Sequence, residues 1–197
     1  VLVVSADGGN TWERQRLHSQ ISFEAVSLQG DCLMAVGGGG AMAVSWDQGQ
    51  SWKLVKDPMP QVIQSLNSVK LNSEIYAVGS KGLLAFSAND GRHWKNPAQE
   101  NYSQDYFFSS VISSDSSVIA AGPPGTIIRS TDGGKTWKPT LVLNDYSKGY
   151  FHKLIAGKNG QVMAIAGPGV DYYSSDNGLN WRAMEAEEER PHFFNGT

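Results

Sequence analysis

The chain has 197 residues, 40% of them hydrophobic and 18% charged, with Lys+Arg 16 against Asp+Glu 19 and a net charge of −3. This length can bury a sizeable core, and the composition fits neither a disordered chain nor a coiled coil. The acidic balance argues against a nucleic-acid partner, no apolar run reaches the roughly 20 residues that span a bilayer, and the single cysteine, Cys32, excludes an intrachain disulfide or a cysteine-rich zinc site.

The chain opens on Val1-Leu2-Val3-Val4, without an initiator Met or a basic leader, and is expected to be the interior of a longer or processed protein. Val1 to Val4 is predicted as a strand. A turn, Ser5-Ala6-Asp7-Gly8-Gly9-Asn10-Thr11-Trp12, leads to a second strand from Trp12 to Leu17. The same turn returns at Ser45, Asp47, Gly49 and Trp52; at Ser87, Asn89, Gly91 and Trp94; at Ser130, Asp132, Gly134 and Trp137; and at Ser174, Asp176, Gly178 and Trp181. The pattern S-x-D-x-G-x-x-W thus occurs five times, with tryptophans 40, 42, 43 and 44 residues apart and one Asn for Asp. A period of this length marks a repeat architecture.

Upstream of each later copy stands a small apolar run followed by glycines: Ala35 to Gly40, Ala77 to Gly82, Ala120 to Gly125 and Ala164 to Gly169. An apolar run, a Gly-containing turn and a second apolar run predict a β-hairpin. One period therefore holds four strands, a to d. In the fourth repeat these are Phe107 to Ile112, Ser117 to Ala121, Thr126 to Arg129, then the Ser130 to Thr136 turn and a strand beginning at Trp137. Polar turns such as Gln29-Gly30-Asp31 and Ser114-Asp115-Ser116 join a to b. Glu185 to Arg190 is helix-compatible but too short to count, and Pro191 to Asn195 is predicted to start another strand a.

The prediction is an all-β fold, a β-propeller of four-stranded antiparallel blades. Blades span approximately residues 1–20 (strands c and d only), 21–60, 61–104, 105–148, 149–190 and 191–197, a start of the next strand. About four and a half blades are visible, as a fragment of a six- to eight-bladed propeller or as a five-bladed ring. In the recurring turn, the Asp carboxylate and Ser hydroxyl are expected to hold backbone N–H groups, the Gly to occupy a crowded or left-handed position, and the Trp to cover the turn. This assigns Ser5, Asp7, Gly9, Trp12 and their counterparts a structural role. One carboxylate per turn is too few for calcium.

These turns resemble Asp-boxes, or BNR repeats, along essentially the whole chain. Ala-Val-Gly-x-x-Gly followed by S-x-D-G-G-x-T-W, clearest at Ser5–Trp12 and Ser130–Trp137, is most similar to the photosystem II stability/assembly factor family and its bacterial relatives. The resemblance implies a roughly seven-bladed propeller without enzymatic activity, which binds a protein partner at a membrane surface. It also implies an exported, periplasmic, envelope or lumenal location. Sialidases and other glycosidases carry Asp-boxes too, so a glycoside hydrolase or a carbohydrate-binding propeller is the alternative.

In this topology the b–c and d–a loops share one end of the sheets, and the a–b and c–d turns share the other. Candidate binding residues are Lys81 from a b–c loop, and Tyr102, Asp105, Tyr106, Tyr146, Tyr150 and His152 from d–a segments. Loop tyrosines offer large contact area at low entropic cost. No catalytic set emerges. The sialidase Phe-Arg-Ile-Pro signature is missing, and Asp105, Asp145, Asp171 and Glu185 do not single out a carboxylate pair. His18, His93, His152 and His192 lack metal-ligand spacing, the glycines 37–40 are not followed by a phosphate-loop lysine, and no cofactor is implied. Cys32 reads as a small core residue at the start of a strand b.

Overall fold

The computed structural model describes residues 2–15, 17, 21–29, 32–37, 41–55, 63–71, 74–79, 82–89, 92–95, 110–114, 117–122, 125–143, 150–167 and 170–184. Strands β1 (Leu2–Val4) and β2 (Glu13–Gln15) form a two-stranded first sheet. The second sheet holds β3 (Phe23–Gln29), β4 (Cys32–Gly37), β5 (Met42–Ser45) and β6 (Lys53–Leu54). The third holds β7 (Ile63–Leu71), β8 (Glu74–Gly79) and β9 (Leu84–Ser87). The fourth is β10 (Ser110–Ser114), β11 (Ser117–Gly122), β12 (Thr126–Ser130) and β13 (Lys138–Val142). The fifth is β14 (Tyr150–Ala156), β15 (Val162–Gly167), β16 (Tyr172–Ser174) and β17 (Arg182–Ala183). Every pairing is antiparallel between consecutive strands, so each sheet is a simple meander. Among the described residues, no helix is long and apolar enough to cross a membrane.

In the third sheet the fourth strand is represented by one bridge, Phe86 with Lys95, and residues 96–109 lie outside the described residues. In the fourth sheet, β10 runs on to Ser114, which pairs with Ser117. Ser114, which reads as a turn residue, thus stays in the ladder. Residues 107–109, 185–190 and 191–197 lie outside the described residues.

Strands β8 and β11 are nearly continuous apolar runs because both of their faces are covered. Alternate side chains along a strand point to opposite faces, and here each face meets a different neighbouring sheet. Ile75, Ala77, Leu83 and Ala85 of the third sheet pack on Met34, Val36, Met42 and Val44 of the second. Tyr76, Val78 and Leu84 turn the other way, onto Val118, Ala120, Ile128 and Trp137. Ile119, Ala121 and Ile127 then face Phe151, Leu154, Val162 and Ala164 of the fifth sheet. The core is thus a series of sheet-to-sheet layers. The outer strands β6 and β17 are exposed. Cys32 is half-buried at the edge of one layer rather than fully inside it. In the first two sheets Trp12 is 62% exposed, Leu28 61%, Val3 56% and Val26 53%.

Candidate functional site

The recurring turn is a closed hydrogen-bond unit. Ser130 Oγ donates to Asp132 Oδ1 at 2.8 Å and accepts the Gly134 N–H at 2.9 Å. Asp132 Oδ1 accepts the Thr136 N–H at 2.9 Å, while Oδ2 accepts the Thr136 hydroxyl at 2.6 Å. Trp137 Nε1–H donates to the Gly134 carbonyl at 2.9 Å. The turns at Ser5, Ser45 and Ser174 repeat these contacts. At Asn89 the amide oxygen takes the Ser87 hydroxyl and the His93 N–H, while Gly91 lies outside the described residues. Hydrogen bonding to a charged carboxylate favours that form. The Thr11 hydroxyl, then the Thr11 N–H and Ser5, hold Asp7 down at about 2. Ser51, through its hydroxyl and N–H, and Ser45 do the same for Asp47, at about 2. Burial pushes Asp132 and Asp176 upward, but their Thr136 and Asn180 contacts prevail and both end up lowered.

The turn also reaches beyond its own hairpin. A Cβ on Gly134 (φ +75) would lie 2.6 Å from Tyr76 Cε1, and one on Gly178 (φ +74) 2.5 Å from Ile119 Cδ1. Tyr76 and Ile119 both belong to the strand b of the preceding sheet. The turns of the fourth and fifth sheets are therefore each seated against the sheet before them. Tyr76 is fully buried, and its hydroxyl donates to Glu74 Oε2 at 2.6 Å. Burial, then the Glu74 carboxylate, raise that phenol far above its ordinary range.

At the opposite end of the sheets lie the b–c and d–a segments. Of the expected binding residues, Tyr150 and His152 are described, and Lys81, Tyr102, Asp105, Tyr106 and Tyr146 lie outside the described residues. A bulge in β14 between Phe151 and Lys153 leaves His152 out of the ladder. Such a bulge re-aims a side chain. The exposed His152 ring meets Tyr150 edge-on, with centroids 4.4 Å apart and planes at 74°. It lies over Gly167, where a Cβ would sit 2.8 Å from His152 Nε2. Gly167 therefore positions the pair. The sequence marked it only as a hairpin residue, although a strand glycine also signals a close approach. Phe151, between the two, is buried edge-on against Tyr172 at 5.7 Å.

Asp171, weighed above as a cleft carboxylate, instead ties this end together. Its Oδ1 accepts the Ala166 N–H at 3.0 Å, and its carbonyl accepts the Met184 N–H at 2.8 Å. Among the described residues, no three His, Cys, Asp or Glu side chains cluster as metal ligands would.

Comparison with solved structures shows the fold. The chain is similar to YCF48 bound to a D1 peptide, with TM-score 0.64 and 24% identity over 90% of this chain and 58% of that one. It is also similar to YCF48 from Cyanidioschyzon merolae, with TM-score 0.51 and 20% identity over 92% and 77%. An ancestral GH74 enzyme gives TM-score 0.70 and 16% identity over 84% and 24%. The chain thus spans under two thirds of the length of the peptide-bound YCF48. No curated protein matches it. The family model described as Photosynthesis system II assembly factor YCF48 matches residues 67–190, more than half of the sequence. With its repeated turns, its meander sheets and this match, the chain belongs to the YCF48 photosystem II assembly factor family.

Proposed function

We propose that this protein is a non-enzymatic propeller module that recognises a protein segment, by the example of the YCF48 bound to a D1 peptide. The observation that carries the reading is the Tyr150–His152 pair, set by a strand bulge at the loop end of a sheet inside the family match. A half-buried tyrosine and an exposed histidine, fixed by their own backbone, give contact area with little ordering cost. Lys81, Tyr102, Asp105, Tyr106 and Tyr146 are proposed to complete this surface. The meander sheets are proposed as blades of a six- to eight-bladed disc. The exposed Val3 and Trp12 of the first sheet, and Val26 and Leu28 of the second, support further strands packing at this end.

The test is fluorescence anisotropy with a labelled D1-type peptide. Tyr150→Ala combined with His152→Ala should weaken binding about tenfold or more, with little change in melting temperature. Unchanged affinity in the double variant would remove the site, and turnover of a fluorogenic glycoside by the wild type would overturn the non-enzymatic reading.

A further inference from the structure

The strand residue just before each turn serine faces a partner across the hairpin. Four of these pairs are Val4 with Glu13, Val44 with Lys53, Phe86 with Lys95 and Tyr173 with Arg182. An apolar or aromatic residue thus lies opposite a charged one, and the Arg182 guanidinium sits 5.1 Å over the Tyr173 ring. The fourth repeat departs from this, pairing Arg129 with Lys138. Two cations directly opposite in an antiparallel ladder repel each other. Neither is matched with a carboxylate among the described residues. Asp132, on the same hairpin, has its oxygens engaged by Ser130 and Thr136.

These two residues line a groove of about 260 Å³ with Thr131, Thr136, Thr140 and Leu179. Arg129 is held in place, because its Nε donates at 2.7 Å to the Asn177 carbonyl of the next repeat. Among the described residues, the rest of its guanidinium fork has no other acceptor. Thr140 Oγ1 accepts from Trp181 Nε1 at 3.1 Å, so its own hydrogen is available. Thr136 is the one hydroxyl already donating, to Asp132. The groove is therefore rich in donors, poor in acceptors and positively charged. It is smaller than a typical pocket for a drug-sized ligand, which suits one oxyanion rather than a whole cofactor. A planar fork beside an ammonium matches a carboxylate, and Leu179, 53% exposed, offers an apolar rim to the chain that carries it.

We propose that this groove, at the turn end of the fourth and fifth sheets, binds the carboxylate of an acidic residue on a partner polypeptide. It is a second anchor, remote from Tyr150 and His152, and it rests on the protein-partner reading only for what carries the carboxylate.

The experiment is a ¹H–¹⁵N NMR titration of the full chain at constant ionic strength, following the Arg129 Nε–H and Trp181 Nε1–H signals. The probes are N-acetyl-glutamate N-methylamide, its glutamine counterpart and inorganic phosphate. Saturable shifts of both signals with the glutamate probe only are expected. Lys138→Gln, an exposed strand position, should weaken that binding about tenfold without lowering the melting temperature. Arg129→Gln should do the same at the Trp181 signal. Equal response to the glutamine probe, or saturation by phosphate alone, overturns the carboxylate assignment. Unchanged affinity in Lys138→Gln overturns the groove. Tyr150→Ala with His152→Ala should leave this titration untouched. Loss of peptide binding in that variant with a normal titration separates the two sites. Failure of the wild type to bind a D1-type peptide while the titration persists counts against the proposed function alone.

Discussion

Gly134→Ala tests whether the recurring turn locks one sheet onto the one before it. The substitution forces an L side chain into φ +75, which costs about 1–2 kcal/mol. The new Cβ would also lie 2.6 Å from Tyr76 Cε1 and 3.6 Å from Trp137 Cζ2. Tyr76 has little room to yield, being fully buried, tied to Glu74 and stacked 6.2 Å from Phe86. Overpacking of this kind adds about 1–3 kcal/mol. The sum, roughly 2–5 kcal/mol, corresponds to a melting point lowered on the order of 5–15 °C in a chain of this size. The control is Gly133→Asn in the same turn. Its φ is +72, and its Cβ would meet only the movable end of Glu74, at 2.9 Å. Asparagine visits this conformation readily, and Asn177 holds the equivalent place with φ 59. Gly133→Asn should cost less than about 1 kcal/mol. Urea denaturation at neutral pH, followed by tryptophan fluorescence, measures both. If Gly134→Ala proves no more destabilising than Gly133→Asn, the seating of the turn on the preceding sheet is refuted.

Ser130→Ala leaves the buried Gly134 N–H without its acceptor and should cost about 1–3 kcal/mol. Ser5→Ala, at an exposed turn where water replaces the hydroxyl, should cost less by the same urea titration. Trp137→Ala should destabilise by about 3–5 kcal/mol, since Trp137 is only 7% exposed. Trp12→Ala, at 62% exposure, should fall below about 1 kcal/mol, and calorimetry of the pair distinguishes them. Asp7 and Asp47 are held at about 2 in the folded chain. Their contribution to stability is present above the ordinary carboxylate pKa near 4 and is lost as pH falls toward 2. Asp47→Asn should flatten the fall of the urea midpoint across that window, and an unchanged slope would refute the assignment.

The turn chemistry and the meander were legible because a repeated sequence is its own alignment. Five copies expose which positions recur, and the hydrogen bonds that close each turn lie within eight residues of chain. What stayed hidden joins residues one repeat apart or more. Gly134 and Tyr76, like Gly178 and Ile119, are brought together only by stacking, and no local pattern marks which face of a doubly buried strand meets which neighbour. The β14 bulge was hidden for another reason: it reflects a one-residue mismatch between strands, which Tyr150-Phe151-His152-Lys153 does not announce. The crossing of Arg129 by Lys138 requires the register of β12 on β13, which itself shifts between Ile127 and Ile128. Period could find the sheets, but not the side chains that their registers bring face to face.

Because the Trp-capped corners at Gly134 and Gly178 each lean on the sheet before, this part of the stack has a direction, like overlapping roof tiles. Removing the last tile uncovers one seam, whereas disturbing an inner tile loosens two. Neighbouring layers alone therefore set the cost of each unit of about 42 residues.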